Sequence, residues 1–424
     1  MNLLKTSILS AVATLVRIVN GFVITKVISV YVGPSGLAVI GQLQNFVNLI
    51  MLGAGNFLKT AVTKYTAEYQ SDSQKTYELW SSSIKISLFL NLIVCSGLFL
   101  GSEYISQLLF RSAEYSYVLK VLSISLPFFV FNTILLSILN GLEKIRKYIF
   151  LNIMLSVISF IIVVVLSIGY QLKGALIAYA INQSIVCIFT FMYLRKEPWL
   201  KIDNFLLPLT RVNCKSLFGF GLITFTSIVV SNISLMYLRG YLTDASSSIE
   251  AGYWQGIWTL SQVSLSLIVT SLTTYFLPTL SKIDTKCRMT LELKKGIKLI
   301  IPVAASIALA LFLLRDYVIL ILYTDEFYPM RELFLWQMVG NVIKACAWLF
   351  GYVLVAKAMV KHAVVIEVLH AIAWVGISVC LIDEFGIVGI TYSYAIASAL
   401  HLIALLFIYK YQVFKPLESN EACQ

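Results

Sequence analysis

Three groups of residues in this sequence could do chemistry. The first is a pair of cations, Arg17 and Lys26, inside the apolar run 6–30, which contains no acid to neutralise them. The second is a set of carboxamides at helical spacing, Gln42, Asn45 and Asn48 early in the chain and Gln255 and Gln262 further on. The third is Lys344 with Glu367 and His370, again inside apolar runs. Fixed cations favour an anionic group such as a phosphate, pyrophosphate or carboxylate, while carboxamides beside hydroxyls suit the hydroxyls of a sugar. The Lys344, His370 and Glu367 set fits a structural ion pair or a proton relay equally well.

These side chains need elements to carry them, and the composition allows one kind. Of 424 residues, 59% are hydrophobic and only 12% charged, and mean hydropathy is +0.86. A chain of this make-up cannot hide its apolar surface in a soluble core. About twelve apolar segments are long enough to span a membrane as helices: 6–30, 37–57, 83–101, 118–140, 149–169, 174–194, 216–238, 252–277, 297–314, 333–355, 362–382 and 387–409. Helices satisfy their own backbone in lipid, so the expected fold is an all-α polytopic membrane protein. The first segment reads as an uncleaved helix, since no small-residue cleavage site ends it. Arg17 lies roughly 16 Å of helix from either end of its run, beyond the reach of a snorkelling arginine. A charge at that depth faces a bundle interior or a watery cavity. Lys26 is nearer its end of the helix, where snorkelling competes with a pore-lining role.

Outside the spans, the 32 lysines and arginines divide unevenly. With the N-terminus in the cytoplasm, only Arg111, Lys120, Lys173, Arg239, Arg315 and Arg331 fall on the opposite side, and Arg17, Lys26 and Lys344 fall inside spans. That bias puts both termini in the cytoplasm. It also accounts for the net charge of +11 by proximity to anionic membrane lipids, with no nucleic acid partner. The seven cysteines show neither CxxC nor metal spacing, so neither disulfides nor metal sites are expected. The stretch 195–215 is the longest hydrophilic connection, and Trp199, Phe205 and Leu206 suggest a segment lying on the membrane surface. The expected organisation is an N-terminal six-helix lobe over 1–200, an inter-lobe linker over 201–215 and a C-terminal six-helix lobe over 216–424. Polar stripes on the first, second, seventh and eighth spans, the first marked by Thr6, Ser10, Thr14, Arg17, Gly21 and Thr25 and the seventh by Thr224, Ser227, Ser231 and Ser234, argue for a central cationic cavity. Composition alone leads to a two-lobed transporter for something anionic.

Longer stretches carry a resemblance. GYWQGIWTLSQ followed by YFLPTLSK, then LLRDYVILILYTDEFYPMRELFLWQMVGNVIKACAWLFGYVLVAKA, with GPSGL, GAGNF and VTKYTAEY near the N-terminus, resemble the bacterial lipid-linked oligosaccharide flippases of the Wzx type. The nearest likeness is to the O-antigen translocases and the lipid III flippases of enterobacterial common antigen. This resemblance implies the multidrug/oligosaccharidyl-lipid/polysaccharide exporter fold in the bacterial inner membrane. It implies an undecaprenyl-pyrophosphate-linked repeat unit moved to the periplasmic leaflet by alternating access, with Arg17 and Lys26 at the pyrophosphate. Gln42, Asn45, Gln255 and Gln262 then become candidate glycan contacts, and Lys344, Glu367 and His370 a coupling group or a structural ion pair. The polysaccharide polymerase and chain-length regulator are the implied protein partners, no cofactor is implied, and the chain is not expected to be an enzyme. A cation-coupled small-molecule exporter of the same superfamily is the alternative, although the polar-striped spans lack the acids that a pump for cationic drugs would be expected to carry.

Overall fold

The structure is a computed structural model that describes the backbone of residues 3–208, 222–411 and 413, and the side chains of 12–208, 225–411 and 413. The side chains of the stripe positions Thr6, Ser10 and Thr224, and the linker positions 209–215 altogether, lie outside what is described. Among the described residues every regular element is helical. In chain order these are α1 (Leu3–Tyr31), α2 (Gly33–Met51), α3 (Leu58–Glu68), α4 (Ser73–Leu100), α5 (Ser102–Phe110), α6 (Ser116–Gly141) and α7 (Ile145–Leu194). They continue with α8 (Leu222–Ala245), α9 (Ser248–Ser271), α10 (Leu277–Ser281), α11 (Lys286–Leu313), α12 (Arg315–Leu322), α13 (Phe334–Ala356), α14 (Val360–Phe385) and α15 (Ile387–Tyr411). Ten helical stretches of the described residues are long and apolar enough to cross a membrane, and the chain is a multi-pass membrane protein. One of the ten is α7, with 50 residues or about 75 Å by helical rise, too long for a single crossing. It breaks at Gln171 (φ 50°, ψ −132°), between two of the apolar segments read from the sequence.

The chain divides into two compact units, Met1–Val32 with Val39–Phe225, and Gly33–Ala38 with Thr226–Gln424. In unit 1 the central helix is α6, which packs against α3, α4, α5 and α7. Its Leu119, Leu122, Leu126, Phe129 and Leu135 are almost wholly buried. Its last residue, Gly141, lies against Thr63 and Thr66 of α3 so closely that a Cβ would collide with both. In unit 2 the central helix is α13, packed against α9, α10, α11, α14 and α15. The ring of Tyr394 on α15 occupies the space a side chain at Gly340 would need. Small residues where helix backbones approach are what lipid-embedded packing requires, because apolar burial supplies little drive there.

The helices that carry Gln42 and Gln262 each end in a π-helical turn, Leu52–Asn56 after α2 and Leu272–Phe276 after α9. At the first, Gly55 adopts φ 118°, and the buried amide of Asn91 donates to the Ala54 carbonyl at 2.9 Å. At the second, hydroxyls take over: Thr273 and Thr274 both donate to the Thr270 carbonyl, at 3.0 and 2.7 Å. Pro278, which has no N–H to give, stands just beyond. Such turns free backbone carbonyls, and side-chain donors satisfy some of them here.

The segment after α7 is folded back on unit 1. Glu197 takes hydrogen bonds from Lys144 at 2.5 Å and from Lys147. Trp199 is buried with its ring edge-on to Trp80, and Phe205 stacks on the same indole. Ser81 donates to the carbonyls of Phe205 and Leu207 at 2.9 and 2.6 Å. Of the residues read as marking a surface-lying segment, Leu206 is exposed, whereas Trp199 and Phe205 pack on Trp80. Cys287 also departs from expectation: it is disulfide-bonded, whereas Cys95, Cys187, Cys346 and Cys380 are free. It lies in the hydrophilic first turn of α11 rather than in an apolar run.

Candidate functional site

In unit 1 the candidate surface is one face of α1. Val12, Leu15, Val19 and Val23 are exposed at spacings of three and four, which makes one apolar stripe. Arg17 and Gly21 are exposed as well, but at 100° per residue they lie about 120° or more from every residue of that stripe. Asn20, which falls between the two faces, donates to Ser156 of α7 at 3.2 Å and fixes the helix there. So α1 presents an apolar face and, opposite it, an accessible face with a guanidinium. Arg17 makes no ion pair or hydrogen bond among the described residues. Further along the polar stripe the hydroxyls turn inward on the helix itself, with Thr25 donating to the Gly21 carbonyl and Ser29 to that of Thr25.

Lys26 is half-buried. Nine residues separate it from Arg17, about 13 Å of rise and two and a half turns of helix, which turns the two side chains to opposite sides. The structure does not bring the two cations to one point, so they do not form a single clamp. On α2, Gln42 is buried and Asn45 half-buried, and the Asn45 Nδ2 has no hydrogen-bond partner among the described residues.

Unit 2 gathers the other group. The Lys344 ammonium lies 3.3 Å from His370 Nε2 and 3.2 Å from His401 Nδ1, and the two imidazoles are 4.4 Å apart. An ammonium only donates, so a protonated Lys344 is matched by a bare ring nitrogen on each imidazole. Glu367 lines the same cavity, of about 100 Å³, together with Gln262, Ser231 and Ser234. It makes no salt bridge to Lys344 among the described residues. Trp258 and Trp374 stack at 5.5 Å and 20°, and Tyr394 closes on both. Ties between helices hold the set: Asn341 of α13 donates to Ser261 of α9 at 3.0 Å, and the Ser378 and Ser393 hydroxyls join α14 to α15 at 2.6 Å.

Gln262 and Gln255, two turns apart on α9, have different fates. Gln262 is exposed and reaches the cavity. Gln255 is buried, its carbonyl oxygen accepting from Arg239 and its amide donating to Thr259 at 3.3 Å. It is engaged inside the unit and offers little to a ligand. Arg239, assigned to a loop by the sequence reading, is 2% exposed within α8, with its guanidinium 5.6 Å from the Trp254 ring. Sequence reasoning missed His401 entirely. Its one signal was a histidine inside the last apolar run, and no spacing rule links it to Lys344, which is 57 residues away.

Comparison with known proteins adds three findings. A family model described as polysaccharide biosynthesis protein matches residues 3–284. The chain is 28% identical over 397 residues to the lipid III flippase of Escherichia coli (strain K12), covering 93% of this chain and 95% of that one, and equally similar to the lipid III flippase of Shigella flexneri. Its fold is similar to an inward-facing multidrug resistance MATE family transporter of the MOP superfamily, at TM-score 0.79 and 15% identity over 96% of this chain and 100% of that one. The lipid II flippase MurJ in an inward closed conformation follows at 0.72 and 16% identity, over 96% and 88%.

Proposed function

Since the chain belongs to the polysaccharide biosynthesis protein family, we propose that it is a flippase for a lipid-linked glycan. The finer reading is that it carries an undecaprenyl-pyrophosphate-linked repeat unit, of O-antigen or of enterobacterial common antigen. It moves that unit from the cytoplasmic to the periplasmic leaflet of the bacterial inner membrane by alternating access, with both termini in the cytoplasm. It performs no covalent chemistry, and it works beside the polysaccharide polymerase and chain-length regulator. Similarity to two lipid III flippases along 93% of the chain supports this.

The observation that carries the reading is Arg17, an accessible guanidinium deep in a span, on the face of α1 away from its apolar stripe. An arginine so placed costs several kcal/mol unless it serves a polar path or ligand, and a phosphate ester is the ligand that a guanidinium binds best. Lys26, two and a half turns further along, would meet the head group at a different stage of its passage. Gln42, Asn45 and Gln262 would contact sugar hydroxyls.

The test is lipid extraction from cells lacking this gene, with polymerisation and ligation intact. Accumulation of the undecaprenyl-pyrophosphate repeat unit in the cytoplasmic leaflet, with loss of surface polysaccharide, is the expected result. Unchanged lipid-linked glycan and surface polysaccharide, in a strain without a redundant flippase, would overturn the reading in favour of a small-molecule exporter.

A further inference from the structure

The cavity in unit 2 has properties that a helix-packing defect would not. Its fixed charges balance when Lys344 is protonated, because Lys344 then supplies one positive charge, Glu367 one negative, and the imidazoles that receive the ammonium on bare ring nitrogens add none. The two charges share one enclosure of about 100 Å³ without touching, so a donor pole and an acceptor pole remain separate. The same cavity is lined by groups that both give and accept, the Gln262 carboxamide and the Ser231 and Ser234 hydroxyls.

The volume holds several waters, which is also the room taken by the hydroxyl-bearing side of one sugar ring. A sugar hydroxyl donates and accepts at once, so it can bridge an ammonium and a carboxylate that do not touch. A carboxylate ligand would instead leave the enclosure with an uncompensated negative charge, which a site of low dielectric resists.

We infer that this cavity is a subsite for one uncharged sugar ring of the transported glycan, with Lys344, Glu367 and Gln262 as its polar contacts. The inference rests on the flippase reading for the source of the sugar, while the binding itself is testable without transport. Purified protein would be titrated with methyl glucoside and with methyl glucuronide, following tryptophan fluorescence, since Trp258, Trp348 and Trp374 all line the cavity. Saturable quenching by the glucoside, with the glucuronide about tenfold weaker, is expected. Glu367→Gln leaves the cavity positive and should shift the preference toward the glucuronide.

No saturable response to either sugar in the wild type would show a cavity for water alone and overturn the inference. Equal responses to both, unchanged by Glu367→Gln, would overturn it too. If sugar binding behaves as expected but the gene deletion leaves the lipid-linked glycan unchanged, it is the flippase reading that fails.

Discussion

At the scale of single residues, the membrane sets the meaning of a charge, and two buried cations in this chain are handled in different ways. Lys344 is held by two imidazoles, and Arg239 by a glutamine and an indole face. Arg17 has no such shell among the described residues and stays accessible. Substitution should therefore separate function from folding at this position. Arg17→Ala is expected to abolish glycan translocation, at least a hundredfold if two charge-assisted contacts are lost, with membrane abundance unchanged. Arg17→Lys is expected to keep much of the activity. Translocation assays with immunoblotting of the membrane fraction check this, and loss of folded Arg17→Ala protein would make the arginine structural. His401 shows the limit of reading residues singly, because its partnership with Lys344 joins α15 to α13.

At the scale of elements, the two π-helical turns stand out, since they end the helices that carry Gln42 and Gln262. Gly55 is committed to its turn twice over. Its φ of 118° is one that L side chains rarely adopt, and an added Cβ would lie 2.9 Å from Ser87 Oγ. Gly55→Ala should cost about 1–3 kcal/mol, read as a lower thermal midpoint of the purified protein. A control at Gly376, where a Cβ meets nothing within 4 Å, should leave the midpoint unchanged or raise it slightly. Sequence periodicity identifies these helices well, but a π turn differs from an α turn by one residue in the hydrogen-bond count. That difference leaves no mark in an apolar pattern.

At the scale of the whole molecule, stability depends on how connections are tied down as well as on apolar burial. The return of the 195–208 segment to unit 1 is one such tie, anchored by Glu197 between Lys144 and Lys147. Hydrogen bonds from these lysines, Lys144 foremost, pull the Glu197 carboxyl down to about 2. A depressed carboxylate stabilises the folded state above its unfolded value of about 4.3 and loses that contribution as pH falls toward the folded value. Thermal midpoints of wild type and Glu197→Gln are therefore expected to differ most near pH 6–7 and to converge as pH drops through about 4 toward 2. A constant gap across that range would assign the tie to the packing of Trp199 and Phe205 on Trp80 instead.

Much of this protein was legible in its sequence. Helix was the only element that could satisfy the backbone in lipid, so every apolar run longer than a bilayer's thickness read as a span, and each coincides with a helix where the chain is described. The break at Gln171 was visible as a polar gap between two such runs. Arg17 was legible for a related reason: its depth follows from counting residues along one helix. Tertiary structure alone decided what depends on rotation and on distant neighbours. It closed Gln255 on Arg239, sent Trp199 into a cluster, and placed His401 against Lys344. Hydropathy fixes how far along a helix a side chain lies because depth is a property of one element. Which groups meet across a cavity depends on how several helices pack, and pairs far apart in sequence carry no local signature of that contact.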